Sequence, residues 1–176
     1  MQKKEPIIID PDADNRYIIF RVGGELFGIP LLDVREVVEP QPIKYIPNTN
    51  PFFLGVCNLR GQIVGVIDLR IRFGLTVASE ERPVLMVFEY SKGAIAVMID
   101  KIESVSTLPE SDIEQNQSLF NSNSASFFPK KYINGIGKFG TSLVTILELR
   151  SMLSEDRLEA EPVNHSQDGY RQEQGA

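Results

Sequence analysis

The sequence repeats itself, and this internal repeat constrains the fold more than any single motif does. YIIFRVGGELFGIPLLDVREVV, which begins at Tyr17, aligns without a gap with LMVFEYSKGAIAVMIDKIESVS, which begins at Leu85. Phe20 therefore matches Phe88, 68 positions later. Each copy has the pattern of a strand, a Gly-containing hairpin turn, a second strand and a bend into a third. We expect two structural units built on one plan.

A second pair of segments extends the repeat. GVCNLRGQIVGVIDLRIRF, from Gly55, aligns with GIGKFGTSLVTILELRSML, from Gly135, at an offset of 80 positions. The second half therefore carries extra residues, and the Asn- and Ser-rich stretch from Glu114 to Ser126 is where a surface loop would hold them at little cost. The repeat accordingly covers most of the chain between two polar ends.

The middle of the chain predicts a mainly β fold. Short segments rich in Val, Ile, Leu and Phe alternate with Gly, Pro and Asn, and sustained helical periodicity is nearly absent, so we expect strands and one or two short helices. Residues 1–15 and 155–176 are polar and charged, and they contain too little apolar surface to offset the entropy of ordering. We expect a flexible N-terminal arm, a folded region over 16–154 and a flexible acidic, polar tail.

Composition excludes several classes of function. Cys57 is the only cysteine, which excludes an internal disulfide and fits a buried strand position, and the only histidine, His165, lies in the polar tail. Zinc sites and His-dependent nucleophilic catalysis require more such residues, held in place, so we expect no catalytic residue, no metal and no cofactor. The net charge of −6 argues against nucleic acid as a partner. No apolar run approaches the about 18 residues that span a bilayer, so we expect no membrane insertion.

The repeat also provides an internal control. Asp68 and Arg70 match Glu148 and Arg150, so we interpret them as structural, an acid that opens a short helix and an arginine one turn along. Asn58-Leu59-Arg60-Gly61, in contrast, matches Lys138-Phe139-Gly140-Thr141. A hairpin turn explains the glycine but not the arginine.

The same segments carry a resemblance to a known family. YIIFRVGGELFGIPLLDVREVVE, PNTNPFFLGVCNLRGQIVGVIDLRIRFG, AVMIDKIESVSTLPESDI and YINGIGKFGTSLVTILELRSML resemble the CheW family of bacterial chemotaxis coupling proteins, over about Tyr17 to Leu153. One departure is Gly65, since relatives commonly have Pro at that position in a Val-Pro-Val-Ile-Asp-Leu-Arg segment. Gly at this point changes the local rigidity of a strand.

The resemblance implies a fold and a function. The implied fold is mainly β, with two packed SH3-like five-stranded β-barrels related by duplication and intertwined as subdomains, plus short helices. The implied function is a non-catalytic cytoplasmic scaffold that links the cytoplasmic tip of chemoreceptors to the regulatory domain of a CheA-type histidine kinase. Such a protein reaches receptor arrays at the inner face of the membrane through its partners.

The resemblance also implies residues that bind the receptor. Arg60, Val34 and Glu36 occupy the family's receptor-binding positions, and Asn58 joins them as a fourth candidate. Glu36 matches Ser104 in the second copy, so it could orient Arg60 or contact the partner itself. Structural alternatives stay open: Arg60 as a solvated residue of a hairpin tip, and Val34, which matches Ile102, as a core residue.

Two other functions stay open at this point. One is a CheW-like adaptor in a type IV pilus, twitching or phototaxis pathway. The other is a β-barrel that binds a small ligand or a nucleotide, because GIGKFG, from Gly135 to Gly140, satisfies the pattern G-x-G-x-x-G. That pattern requires a helix after it, whereas TSLVTILEL has the composition of a strand.

Overall fold

The structure is a computed structural model that describes residues 15–76, 82–90, 93–115, 132–149 and 153. The predicted arm over 1–15, apart from Asn15, the predicted tail over 155–176 and most of the predicted loop over 114–126 lie outside these residues. The described elements are eleven strands, one short α-helix and two 3₁₀ turns, Leu31–Asp33 and Glu110–Asp112. In chain order the strands and the α-helix are β1 Arg16–Val22, β2 Glu25–Pro30, β3 Glu36–Val38, β4 Phe53–Leu59, β5 Gln62–Asp68, α1 Leu69–Phe73, β6 Val84–Tyr90, β7 Gly93–Ile99, β8 Lys101–Thr107, β9 Ile113–Glu114, β10 Ile133–Phe139 and β11 Ser142–Leu147.

The strands form two sheets, each of which closes on itself. Barrel A has the strand order β8-β1-β2-β11-β10-β9, and barrel B has the order β3-β6-β7-β5-β4. Barrel A closes because β8 runs on into β9, which pairs with β10. Barrel B closes because the chain after β3 runs on to Lys44, which bridges to Val56 in β4. The predicted pair of SH3-like barrels is thus confirmed, with the expected five strands in barrel B and six strands in barrel A, where β9 has only two residues.

The two copies of the repeat exchange hairpins. The β1–β2 hairpin of the first copy lies in barrel A beside β10–β11 of the second copy, and β6–β7 of the second copy lies in barrel B beside β4–β5. Each exchange is made through a parallel pairing, β2 with β11 and β5 with β7. Each barrel therefore contains strands from both halves of the chain.

Strand registers confirm the repeat and its two offsets. Tyr17 pairs with Pro30 and Leu85 pairs with Met98, which is the same register 68 positions later. The other hairpin also repeats, with Phe53 opposite Ile67 in β4–β5 and Ile133 opposite Leu147 in β10–β11. Both of these latter hairpins shift register at one place, after Phe53 and after Ile133. The duplication is therefore visible in the structure as well as in the sequence.

A glycine sits at each of these register shifts because the closing strand passes close to it. A Cβ on Gly55 would lie 2.2 Å from the Lys44 carbonyl oxygen, and Gly55 has a φ of 132°. A Cβ on Gly135, the matching residue, would lie 2.9 Å from the Glu114 carbonyl oxygen. Contacts under 3.0 Å exclude a side chain, so glycine at both positions lets the barrels close.

Three apolar clusters hold the fold together. One fills barrel B and includes Cys57, Val64 and Leu85, and a second fills barrel A and includes Ile19 and Val144. The third and largest lies between the barrels and draws residues from both. Its largest members with almost no exposed surface are Phe20, Phe88, Ile29, Ile67, Leu69, Met86, Ile95, Ile99 and Leu147.

A buried ion cluster fixes the junction between the barrels. Asp68 caps α1, and its carboxylate accepts from Arg70 Nε at 2.9 Å and from Arg70 Nη2 at 2.6 Å. Arg70 Nη1 also lies 3.3 Å from Asp100, the single residue between β7 of barrel B and β8 of barrel A. The backbone amide of Gly23, in the β1–β2 turn, donates to Asp100 at 2.6 Å. All three charged side chains are buried.

This geometry corrects the predicted role of Arg70. Asp68 does open a short helix, as expected, but its pairing with Arg70 two residues later is not the contact across one helical turn that we expected. The Arg70 side chain turns inward because Asp68 and Asp100 together offset the cost of burying it. The matching Arg150 lies outside the described residues.

Removing the cation from this cluster tests its role. Arg70→Ala leaves two buried carboxylates without their partner, so we expect the free energy of unfolding in urea to fall by about 3–5 kcal/mol. Arg21→Ala removes the partly exposed ion pair between Arg21 and Glu103 and serves as the control, with an expected loss below about 1 kcal/mol. An equal decrease in the free energy of unfolding for the two variants would contradict the conclusion that the buried cluster stabilises the junction.

Candidate functional site

Arg60 occupies the tip of the β4–β5 hairpin in an unusual backbone conformation. Arg60 and Gly61 form the two-residue turn, with φ values of 51° and 90°, which correspond to a type I′ turn. The left-handed region suits Gly, Asn or Asp and costs other residues on the order of 1 kcal/mol. Among the described residues other than glycine, only Arg60 and Asn48 have a positive φ.

The matching turn of the second copy has glycine at its first position, although Thr141 at its second position lacks the positive φ of Gly61. Gly140 stands at the position that matches Arg60, and it has a similar φ of 58°. Glycine adopts this conformation without a Cβ clash, so the fold alone favours glycine here. Arg60 adopts a backbone conformation that costs free energy, whereas the second copy has glycine at this position. This difference indicates that the Arg60 side chain has a role other than stabilising the fold.

The Arg60 side chain is exposed enough to contact a partner. It is 83% exposed, and its Nη2 atom lies 3.2 Å from Oε2 of Glu36 in β3. Glu36 is only 19% exposed, so the shielded carboxylate anchors one edge of an exposed guanidinium. The structure thus brings together two of the four predicted site residues.

Three further polar residues join this pair and were not predicted. Arg35 contacts Glu36 at 3.1 Å, Gln62 at 3.0 Å and Glu89 at 3.3 Å. We call Arg35, Glu36, Arg60, Gln62 and Glu89 the charged cluster. A signal for the additional members did exist in the sequence, since Arg35 matches Glu103 and Glu89 matches Arg21 under the 68-residue offset, with both charges reversed.

Asn58, the third predicted site residue, has a role within the turn. Its side-chain Oδ1 accepts from the backbone amide of Gly61 at 2.7 Å. This hydrogen bond satisfies a donor that the two-residue turn exposes. Lys138, the matching residue, carries no acceptor, so the Asn58 contact belongs to the Arg60 turn only. Asn58 is exposed and shapes the hairpin tip that presents Arg60.

Val34, the fourth predicted site residue, lies at the entry to barrel B. It follows a 3₁₀ turn over Leu31–Asp33, and its amide donates to the Leu31 carbonyl at 3.2 Å. Its half-buried side chain packs against the cluster between the barrels. Val34 therefore has the packing role that its match to Ile102 suggested, and it precedes Arg35 and Glu36 in the chain.

A shallow pocket lies on the outer side of the same hairpin. It has a volume of about 260 Å³ and is lined by Pro42, Lys44, Val56, Cys57, Asn58 and Ile63. Ile63 is 75% exposed, so this face offers apolar surface beside the hairpin tip. Cys57 itself is buried, as predicted, and this burial raises the pKa of its thiol.

The remaining chemical alternatives find no support in this geometry. GIGKFG lies in β10 and its turn and leads directly into β11, so it presents no helix N-terminus to a pyrophosphate. Within the described ranges, no group of three His, Cys, Asp or Glu side chains has the arrangement of a metal site. The part of the chain that the structure describes also contains no helix long and apolar enough to cross a membrane.

Comparison with known proteins gives a consistent result. Residues 16–157 match the CheW-like domain family. The chain is 29% identical over 143 residues to the chemotaxis protein CheW of Klebsiella aerogenes, and this match covers 81% of the chain and 83% of that protein. It is 30% identical over 143 residues to the chemotaxis protein CheW of Helicobacter pylori, which covers 80% of the chain and 82% of that protein.

A solved structure matches as well. The crystal structure of the scaffolding protein TtCheW from Thermoanaerobacter tengcongensis superposes with a TM-score of 0.70 at 25% sequence identity. The superposition covers 91% of this chain and 96% of that one. The paired-barrel fold is therefore shared with that protein.

The backbone cost at Arg60 can be measured directly. We expect Arg60→Gly to raise the free energy of unfolding by about 0.5–1 kcal/mol, because glycine relieves the left-handed conformation and only an exposed ion pair is lost. The reverse change in the second copy, Gly140→Arg, should lower it by about 1 kcal/mol. Denaturation in urea measures both, and a less stable Arg60→Gly variant would contradict the view that the fold favours glycine at this turn.

Proposed function

Because this chain belongs to the CheW-like domain family, we propose that it couples the cytoplasmic tip of chemoreceptors to a CheA-type histidine kinase, with Arg60 at the receptor contact. Its general role is that of a chemotaxis scaffold, and the family is one of non-catalytic scaffolds. The relatives compared above are named as chemotaxis proteins, which favours this pathway over a pilus or phototaxis pathway.

The main support for the receptor site is an exposed arginine in an unfavourable backbone conformation, which is present in one copy of the repeat only. Arg60 has a φ of 51° and a side chain that is 83% exposed, whereas the second copy has Gly140. Residues kept in unfavourable backbone regions concentrate at functional positions. This asymmetry supports Arg60 as the centre of the contact, with Glu36 beside it.

Arg60 suits a helical partner for chemical reasons. A guanidinium carries five N–H donors in one plane, so it can bind Glu36 along one edge and still donate to a carboxylate or to helix-end carbonyls of the partner. The outer face with Ile63 adds apolar surface near the turn. Apolar anchors with polar contacts at their rim are the usual way in which a groove or face accepts a helix.

The contact can be weak and still effective. In an array, many receptor and kinase sites are held together, so a second contact forms at high effective concentration. We propose that the unit that makes these contacts is residues 16–154, and that it works in the cytoplasm at the inner face of the membrane through its partners. The match to the family over residues 16–157 supports these boundaries.

Charge reversal at the hairpin tip tests the proposal. We expect Arg60→Glu to abolish measurable binding to the cytoplasmic tip of a chemoreceptor encoded in the same genome, because it replaces a donor with a repelling carboxylate beside Glu36. Binding to the regulatory domain of the CheA-type kinase from that genome should persist. Isothermal titration calorimetry measures both interactions on the full chain.

A matched control comes from the second copy. Lys138→Glu makes the same charge change on the exposed surface of the equivalent hairpin, and we expect it to leave receptor binding intact. Receptor affinity that survives Arg60→Glu, or that falls equally in both variants, would discard Arg60 as the contact. Absence of both receptor and kinase binding in the wild-type chain would discard the coupling function.

A further inference from the structure

The two barrels carry equivalent ion pairs with opposite polarity. In barrel B, Arg35 pairs with Glu89 of β6 at 3.3 Å. In barrel A, Glu103 of β8 pairs with Arg21 of β1. Arg35 and Glu103 are matched positions of the repeat, and so are Glu89 and Arg21. The acid and the base have therefore changed places between the two copies.

The reversal places a cation where it can hold several acceptors at once. Arg35 Nη1 lies 3.0 Å from Gln62 Oε1 at the start of β5, and Arg35 Nη2 lies 3.1 Å from Glu36 Oε1 in β3. Together with Glu89, these acceptors come from three strands of barrel B. Only a planar fork with several donors can serve them simultaneously.

The consequence for Arg60 follows from how the Glu36 carboxylate is shared. Its Oε1 atom faces Arg35 and its Oε2 atom faces Arg60 at 3.2 Å. Arg35 therefore fixes the orientation of the carboxylate that holds the exposed guanidinium. Arg35 also bonds Gln62, which follows the Arg60–Gly61 turn directly, so it ties both sides of the contact together.

Barrel A has neutral residues at the positions that match Glu36, Arg60 and Gln62. Ser104 stands in place of Glu36, Gly140 in place of Arg60 and Ser142 in place of Gln62. The Ser104 hydroxyl lies 2.9 Å from the hydroxyl of Ser106 in its own strand. Glu103, which stands in place of Arg35, is itself held by Arg21 and by Lys101 at 3.5 Å, so barrel A has no arginine at this position to orient a neighbouring carboxylate.

We propose that Arg35 is a positioning residue of the receptor site, which orders Arg60 through Glu36, and that barrel A lacks the equivalent arrangement because Glu103 and Ser104 stand in place of Arg35 and Glu36. This inference rests on the proposed coupling function. It adds a residue outside the predicted site and names a structural difference between two barrels of one plan.

The test uses Arg35→Gln, with Glu103→Gln as the matched control in barrel A. Arg35→Gln should weaken the affinity for the receptor tip by about threefold to tenfold. In this variant the Arg60 side chain is no longer ordered in the free protein, so binding must include the entropic cost of ordering it. Glu103→Gln should leave that affinity unchanged. In an Arg60→Gln background, Arg35→Gln should cause no further loss, because its effect passes through Arg60.

A conservative variant separates position from charge. Arg35→Lys keeps the charge but lacks the fork that reaches Gln62 and Glu36 together, so we expect it to restore the affinity only in part. Full restoration by lysine would overturn the positioning role. So would a loss of affinity that adds to that of Arg60→Gln, or an equal loss in Glu103→Gln.

The free protein provides a readout that does not depend on the receptor. The heteronuclear NOE of the Arg60 Nε–Hε group should fall in Arg35→Gln and stay unchanged in Glu103→Gln, as the guanidinium gains motion only in the first variant. An unchanged NOE in Arg35→Gln would overturn the inference. If the wild-type chain fails to bind the receptor tip, the coupling function fails, and the NOE still decides whether Arg35 orders Arg60.

Discussion

Parallel pairing between hairpins from opposite copies of the repeat determines how both barrels are assembled. The β2–β11 and β5–β7 pairings join each barrel across the chain, so neither half can complete a barrel alone. The largest apolar cluster then forms between the barrels, where Phe20 and Phe88 contribute as matched residues. Because the barrels are joined by two chain crossovers and the buried Arg70 cluster, the hairpin tips are held in fixed places.

Much of this architecture could be predicted because both copies of the repeat contain residues with the same local structural preferences. The hairpins, their Gly-containing turns and the alignment of Gly55 with Gly135 follow from residues that agree in both copies. The exchange of hairpins could not be predicted in the same way. Two similar hairpins present similar apolar faces, so the sequence pattern does not distinguish pairing within a copy from pairing between copies. The turn conformation of Arg60 and the inward path of Arg70 depend on tertiary contacts, notably on Asp100, which lies 30 positions from Arg70.

At the candidate site, the two copies of the repeat have different residues at matched positions. The sequence predicts a receptor site of Arg60, Glu36, Asn58 and Val34. The structure joins Arg60 to Glu36, bonds Asn58 to Gly61 of the turn and packs Val34 against the core. Arg35 was missed because its three acceptors lie 1, 27 and 54 positions away, and only the fold brings them together. Duplication gives the chain two similar barrels, while a scaffold needs surfaces that differ. A few substitutions at one hairpin tip supply that difference without altering the core.

We propose that only one of the two equivalent barrels, barrel B, carries the receptor site. Titration of the ¹⁵N-labelled chain with a receptor tip from the same genome, followed by amide chemical shifts, tests it most directly. We expect the shifts to change at Arg35, Glu36 and the Arg60–Gly61 turn, and those of Ser104, Gly140 and Ser142 to stay the same. Equal changes at both sets of matched positions would contradict it.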